Sequence, residues 1–224
     1  RSVAAAAKNF GKETTAASSS LDGFTRVIAG FLTLQGAKAV SGMADAWTEL
    51  QNRLRLVTNG QDELNNSTNA LFAIAQETSQ SIESVGTVYQ RFAQNADSLG
   101  LSLDDVASIS GTVAKAVAIS GASAQGADAA LTQLGQALAS GTLRGEEFNA
   151  IMEQTPGLAQ ALADGLGVPL GQLRALSQEG KITSAEIIRA MRNAAGSVDE
   201  KFSARVQTVS QSLVNLQNAM KRFA

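Results

Sequence analysis

Apolar residues recur at every third or fourth position along almost the whole of this 224-residue chain. Three stretches keep strictly alternating steps of three and four, at residues 40–57, 82–99 and 202–223. This spacing lines apolar side chains along one stripe of an α-helix, and it is the heptad pattern of helices that pack side by side. No convincing run alternates with the period of two that is typical of half-buried strands. The pattern therefore predicts an all-α fold, in which long amphipathic helices pack around a cluster of short helices.

Glycine and proline divide the middle of the chain into shorter predicted helices. Between residues 140 and 196 they separate three of them, over 145–154, 157–165 and 170–178. Thr183 and Glu186 then have the spacing of a capping box, in which each side chain bonds the backbone of the other. We expect the next helix to begin at this pair, because a capping box satisfies backbone N–H groups that a helix start leaves open.

These patterns suggest two parts. Residues 1–44 form a weakly patterned N-terminal helical segment, and residues 45–224 form a helical domain. That domain contains the short-helix region, 140–196, and a C-terminal helix, 198–224, that stops without a cap. Since both ends of the sequence look cut, we expect the chain to be a fragment of a longer protein.

The residues that most enzymes use are scarce. The chain has no histidine, which removes the commonest general base and metal ligand, and no cysteine, which removes thiolate chemistry. The densest carboxylates are Glu146, Glu147 and Glu153, and paired carboxylates can hydrolyse glycosides. However, acids in the first turn of a helix complement its dipole without any catalytic role. We predict no enzymatic activity, no cofactor and no metal site.

One segment resembles a DNA-binding hairpin. Residues 165–192 suggest two short helices around a glycine turn, as in a helix-turn-helix. The segment carries four basic residues, Arg174, Lys181, Arg189 and Arg192. Three acids nearly cancel them, Asp164, Glu179 and Glu186, and the net charge of the chain is −2. A DNA-reading helix is usually clearly basic, so the sequence favours a plain helical hairpin and no specific nucleic-acid binding.

The short-helix region also carries a longer motif that keeps its spacing. Its parts are SGTLRGEEFN at 140–149, EQTPGLAQALA at 153–163, LGV at 166–168, GQLR at 171–174 and EGKIT at 179–183. This motif closely resembles the core of the tape-measure domain of long tail proteins in tailed phages and prophages. The similarity extends more loosely upstream, through residues 46–56 and 89–92, and downstream through 202–223.

The resemblance implies a structural tail protein that acts in tail assembly and length determination through protein–protein contacts. Members of the family fill the tail tube, set its length and leave with the DNA at infection. Their partners are tail assembly chaperones, tail tube proteins and tail-tip proteins, and they usually form a homo-oligomer of parallel copies. The implied location is the virion tail, and the host bacterial cytoplasm during assembly.

Four motif residues are candidates for partner binding: Arg144, Glu146, Glu147 and Phe148. The same four residues could instead hold the local helical hairpin together. Because the region is so rich in glycine breaks, it would make an inefficient helical ruler. We therefore expect a compact anchoring or initiation module, with the ruler itself elsewhere in the protein.

Other classes of protein stay open at this point. Heptads rich in Ala, Ser, Thr and Gln also suggest a helical signalling module, although the breaks between residues 141 and 180 contradict the long helices of that class. A tail protein can carry a cell-wall hydrolase module, which would need a catalytic carboxylate in a cleft. The weakly apolar stretch at residues 29–40 permits contact with a membrane during ejection but does not argue for it.

Overall fold

The computed structural model describes the backbone of residues 34–205 and 209–223, and the side chains of residues 44–205 and 211–222. Contacts within the chain divide it into two units, at residues 1–45 and 46–223. Of the first unit, the described part is helical backbone from residue 34 onwards. The weakly patterned segment predicted for residues 1–44 therefore lies mostly outside the described residues.

The described residues form eleven helices and two short strands. In chain order they are α1 (Leu34–Arg55), α2 (Gln61–Thr78), α3 (Ile82–Gln94), α4 (Ala96–Leu99), α5 (Leu103–Ile119), α6 (Ala124–Ser140), β1 (Thr142–Leu143), α7 (Gly145–Gln154), α8 (Pro156–Leu166), α9 (Leu170–Gln178), β2 (Ile182–Thr183), α10 (Ser184–Ser203) and α11 (Val209–Phe223). The predicted all-α class is confirmed.

The middle heptad stretch supplies the centre of the core. Its positions Ile82, Val85, Tyr89 and Phe92 lie on α3 and are at most 1% exposed. This face of α3 packs against α5 and α6, and α2 contacts both α3 and α5. The aromatic and β-branched side chains of α3 thereby fill a core whose remaining lining is largely alanine and leucine.

The helix predicted over residues 82–99 is divided in two. The Asn95 side chain donates a hydrogen bond of 2.8 Å to the backbone oxygen of Arg91, so it competes with the backbone for a helical acceptor. α3 ends there, and the short α4 follows. Gly100 then ends α4 with a φ of 63°, a left-handed value that suits a residue without a Cβ.

The short helices form a layer against the long ones. α8 crosses both α5 and α10, while α7 and α9 pack beside it. Gly165 marks the closest approach of α8 to α10, since a Cβ at this position would overlap the carbonyl oxygen of Ala190. The Asn193 side chain fixes the same crossing by donating to the Gly165 oxygen at 2.9 Å.

The two strands were not predicted from the sequence. β1 and β2 pair in antiparallel fashion, with Thr142 opposite Thr183 and Leu143 opposite Ile182. Two residues are too few to produce a recognisable period-two pattern. The pair joins the two ends of the segment that carries α7, α8 and α9.

The C-terminal helix predicted over residues 198–224 is also corrected. Residues 198–203 belong to α10, which runs across Gly196 without a break, and α11 is a separate helix. At the end of α10, the centre of the Phe202 ring is 5.5 Å from the Lys115 ammonium and 4.1 Å from the Arg205 guanidinium. Arg205 also donates to the backbone oxygen of Glu77 at 2.6 Å. α10 thus ends where these contacts with α2 and α5 form, although the apolar spacing of the sequence continues beyond it.

Among the described helices, none has the combination of length and apolar character needed to cross a membrane.

Candidate interaction surfaces

The first part of the 140–183 motif builds the junction around the strand pair. Gly141 ends α6 with a φ of 87°, and its oxygen accepts from the Ser184 N–H at 3.0 Å. The Ser184 hydroxyl donates to the Leu138 oxygen at 3.2 Å, while the Leu143 side chain is fully buried. These hydrogen bonds join the end of α6 to the start of α10. The motif positions at the junction therefore have a structural role.

The second part of the motif places α8 against α5. The Gly157 N–H donates to the Ser120 hydroxyl at 2.9 Å, and a Cβ at Gly157 would lie 2.8 Å from the Ala116 oxygen. Pro156 precedes this contact as the first residue of α8, where its missing N–H costs nothing. The Pro156–Gly157 pair therefore sets where α8 begins and how closely it approaches α5.

The four residues predicted to bind a partner differ in how exposed their side chains are. Phe148 is fully buried, so in this fold it contacts the core. The Glu147 carboxylate accepts from the Arg144 backbone N–H at 3.1 Å and closes the start of α7. The Arg144 and Glu146 side chains are exposed, and the Arg144 guanidinium has no ion pair or hydrogen bond within the described residues. Of the four, Arg144 and Glu146 are the ones available to a partner.

The carboxylates considered for catalysis show no shared site. Glu146 and Glu153 are exposed on α7, and Glu147 is used at the helix start. Within residues 34–205 and 209–223, no three acidic side chains come together as a group able to hold a metal ion.

Two of the four basic residues of the hairpin segment form ion pairs with neighbouring acids. Lys181 pairs with Glu179 at 2.6 Å, and Arg189 pairs with Glu186 one turn away. Arg192 is exposed and contributes, as a minor influence, to lowering the pKa of the Asp105 carboxyl. The larger causes of that lowered pKa are hydrogen bonds from the Ser102 backbone and side chain, which cap α5.

A buried tyrosine lies at the edge of a cavity between α2 and α5. The Tyr89 hydroxyl is 2.8 Å from the Ser67 hydroxyl, and burial raises the pKa of Tyr89. The adjoining cavity has a volume of about 370 Å³ and is lined in part by Glu63, Asn66 and Asp104. The sequence pattern identified Tyr89 as a core position but gave no sign of this polar contact.

A second polar cluster fixes the end of α10. The Lys115 ammonium lies 2.9 Å from Asp199 and 3.2 Å from Glu77, which joins α5 to α10 and to α2. Burial alone would lower the pKa of Lys115, but the hydrogen bonds to the two carboxylates outweigh it and raise the pKa. The cluster adjoins the Phe202 and Arg205 contacts that end α10.

α11 docks on the molecule through polar contacts. The fully buried Asn218 side chain accepts from the Ile82 N–H at 3.1 Å and donates to the Gln80 oxygen at 2.7 Å. Lys221 pairs with Glu83 at 2.6 Å. The Arg222 guanidinium stacks on the Phe72 ring at 4.4 Å. Val214 is the one buried hydrophobic side chain among the described side chains of α11.

The apolar stripe of α11 faces away from this docked side. Leu213 and Leu216 belong to the third heptad stretch, and they are 57% and 50% exposed. The heptad pattern of this stripe is that of helices that pack side by side. The described residues leave these two leucines largely uncovered.

Comparison with known proteins identifies the family. A family model described as "Tape measure protein" matches residues 38–224, which include the whole 140–183 motif. Neither a curated protein nor a solved structure matches the chain. Since the match covers most of the sequence, the chain belongs to the tape measure protein family, the structural proteins of bacteriophage tails.

Proposed function

We propose that this module acts in phage tail assembly and length determination as a compact anchor or initiation site, and that the ruler lies elsewhere in the protein. The observation that carries this proposal is the folded-back packing of residues 46–223, in which α2, α3, α5, α6, α8 and α10 share one core. A ruler gains about 1.5 Å per residue only where its helices run end to end. Helices that fold back and pack side by side add little to the end-to-end length of the protein.

The proposed partners are other tail components: assembly chaperones, then tail tube and tail-tip proteins. The proposed contact surface includes Arg144 and Glu146 at the start of α7. Both side chains are exposed and lie next to the strand junction, which holds the backbone of this region in place. Membership of the family supports a location in the tail, and we propose that assembly takes place in the host cytoplasm.

The first experiment deletes residues 45–224 from the intact phage gene and measures tails by electron microscopy. An anchor or initiation module predicts that tails fail to form although the shortened protein accumulates normally. Tails shorter by about 270 Å, the helical rise of the deleted segment at ~1.5 Å per residue, would instead identify the segment as part of the ruler. Normal tails would contradict both roles.

The second experiment tests the contact surface with the paired substitution Arg144→Ala and Glu146→Ala in the phage. We expect fewer complete tails with no change in tail length. Glu153→Ala serves as the matched control, because Glu153 is an exposed acid of the same helix outside the proposed contact. Equal tail yields for the paired variant and the control would argue against a binding role for Arg144 and Glu146.

A further inference from the structure

A second cavity adjoins the one beside Tyr89. It has a volume of about 490 Å³, and both cavities are lined by Glu63 and Leu103. Together they form a groove whose walls come from the turn after α1, from α2, α3 and α4, and from the start of α5. None of the described residues that line this groove is basic, whereas Glu63, Asp97 and Asp104 are acids. We call it the acidic groove.

The three carboxylates of the acidic groove have no cationic partner. Among the residues that the structure describes, neither Glu63, Asp97 nor Asp104 forms an ion pair. One oxygen of Glu63 accepts from the Asn59 N–H at 2.6 Å, which fixes this carboxylate at the wall. Acids in the first turns of α2 and α5 complement the helix dipoles, so their charge alone does not define a binding site.

Two buried hydroxyl groups provide an independent observation. The Tyr89 and Ser67 side chains line the first cavity, are 0% and 3% exposed, and have their oxygens 2.8 Å apart. Only one hydroxyl can donate in that bond, so the other keeps a proton without an acceptor in the described part of the chain. A buried donor without a partner costs free energy. The inner wall of this cavity therefore has hydrogen-bonding capacity that the domain itself leaves unused.

Leucine side chains form the apolar part of the groove. Leu56 lines the second cavity and is 76% exposed, while Leu101 and Leu103 are half-buried beside it. Contact with an apolar group would remove this area from water, which is favourable. A ligand that fits the whole groove thus combines an apolar part with a group that pairs with carboxylates.

A basic side chain has this combination. Ionised carboxylates only accept hydrogen bonds, and a guanidinium or ammonium group only donates them. The aliphatic stem of lysine or arginine can lie along apolar surface while its charged head stays in a polar environment. Three carboxylates would repel an anionic ligand such as nucleic acid. A bound metal ion is not favoured, since no three acids within the described ranges come together to hold one.

We propose that the acidic groove binds a lysine- or arginine-bearing segment of a partner protein. The cationic head group pairs with Glu63 and Asp104 beside the Tyr89 hydroxyl, and the aliphatic stem lies against Leu103, which both cavities share. A neighbouring apolar side chain of the segment covers Leu56. This surface does not include Arg144 or Glu146, and the proposal does not depend on the anchoring role.

Tyr89 is the only tyrosine of the chain, so it gives a specific signal for binding. Tyrosine labelled with ¹³C at Cζ produces a single NMR resonance from the full-length chain. The probe is Nα-acetyl-leucyl-arginine amide, which joins one apolar and one basic side chain. In the control probe, citrulline replaces arginine, which keeps the shape of the head group and removes its charge. We expect the arginine probe to shift the Tyr89 resonance to saturation with a millimolar Kd, and the citrulline probe to bind about tenfold more weakly.

Substitutions then locate the charge that binds the probe. Asp104→Asn and Glu63→Gln should each weaken binding of the arginine probe about threefold, as expected for the loss of one partly exposed ion pair. Leu56→Ala should weaken it about twofold, because it removes apolar contact area. Asp62→Asn is the matched control, since Asp62 is an exposed acid of α2 that lines neither cavity. All four variants should keep the melting temperature of the parent protein.

Three results would overturn the proposal. The first is a Tyr89 resonance that the arginine probe does not shift. The second is equal affinity for the arginine and citrulline probes, because charge would then play no part. The third is an equal loss of affinity in Asp62→Asn and Asp104→Asn, which would mean that the probe responds to the general charge of the surface rather than to the groove.

Discussion

At the residue scale, small side chains decide how closely the helices of this domain approach. Gly165 allows α8 to rest against the backbone of Ala190, and Gly157 allows the start of α8 to rest against Ala116. Gly157 belongs to the motif by which the sequence resembles the family, and Gly165 lies between two parts of that motif. At Gly157, a residue of the family motif is therefore required by the packing of two helices.

We predict that Gly165→Ala destabilises the domain by about 3 kcal/mol, because the added methyl group forces apart two helices in a packed core. Gly196→Ala is the matched control, since Gly196 is helical, exposed and has no neighbour within 4 Å of an added Cβ. The control should gain up to about 1 kcal/mol, the difference in helix propensity between glycine and alanine. Urea unfolding followed by circular dichroism measures both, and similar effects of the two substitutions would contradict the packing explanation.

At the element scale, the most buried contact of α11 is made by one polar side chain. Asn218 joins α11 to the turn between α2 and α3, where it satisfies the N–H of Ile82 and the oxygen of Gln80. With Val214 as its main apolar contact, the helix has little hydrophobic burial to hold it in place.

We predict that Asn218→Ala releases α11 from the domain, because it removes two buried hydrogen bonds and leaves their partners unsatisfied, at a cost of about 1–3 kcal/mol each. Hydrogen exchange should then show lost protection throughout α11, while α5 and α8 stay protected. The exposed neighbour Gln217→Ala should leave exchange unchanged. Continued protection of α11 in the Asn218 variant would mean that other contacts suffice to dock it.

The sequence predicted elements well where local chemistry determines them. Glycine and proline marked α7 and α9 at their observed bounds. Of the predicted capping box, only one half is present: the Thr183 hydroxyl accepts from the Glu186 N–H at 3.2 Å, while the Glu186 carboxylate pairs with Arg189. The sequence failed where distant contacts determine the structure. The two-residue strands exist because α6 and α10 are brought together, and α10 ends where Phe202, Lys115 and Arg205 meet.

The candidate surfaces show the same division. The family motif predicted four partner-binding residues together: Arg144, Glu146, Glu147 and Phe148. In the structure their environments differ, because Phe148 is buried in the core and Glu147 caps a helix. The heptad stripe of α11 was visible in the sequence. That its polar face would dock and its apolar face would remain outside depended on where Gln80 and Ile82 lie in the fold.

At the scale of the whole molecule, residues 46–223 form one body with a continuous core. Buried side chains from α1 to α10 contact one another without a gap, and Trp47 packs against their edge. Helices that share one core are expected to unfold together, because losing one exposes the apolar faces of its neighbours.

We predict a single cooperative thermal transition for this body. The chain has one tryptophan, so fluorescence reports on Trp47 at the edge of the core, while far-ultraviolet circular dichroism reports on all helices. The two melting curves should coincide apart from the contribution of α11. Separate midpoints for the two signals would show that α1 unfolds independently of the rest.

The strand junction gives the domain a mechanical direction. Thr142 and Thr183 face each other at the end of the pair where the chain enters and leaves, and Leu143 and Ile182 face each other at the inner end. Tension applied between the end of α6 and the start of α10 would therefore load these hydrogen bonds one after another rather than all at once. Once the outer pair has parted, the force reaches the inner pair and then the segment that carries α7, α8 and α9. The strand pair thereby makes the segment that carries α7, α8 and α9 a loop closed at its base, and tension of this kind would open the base before it reached the helices within the loop.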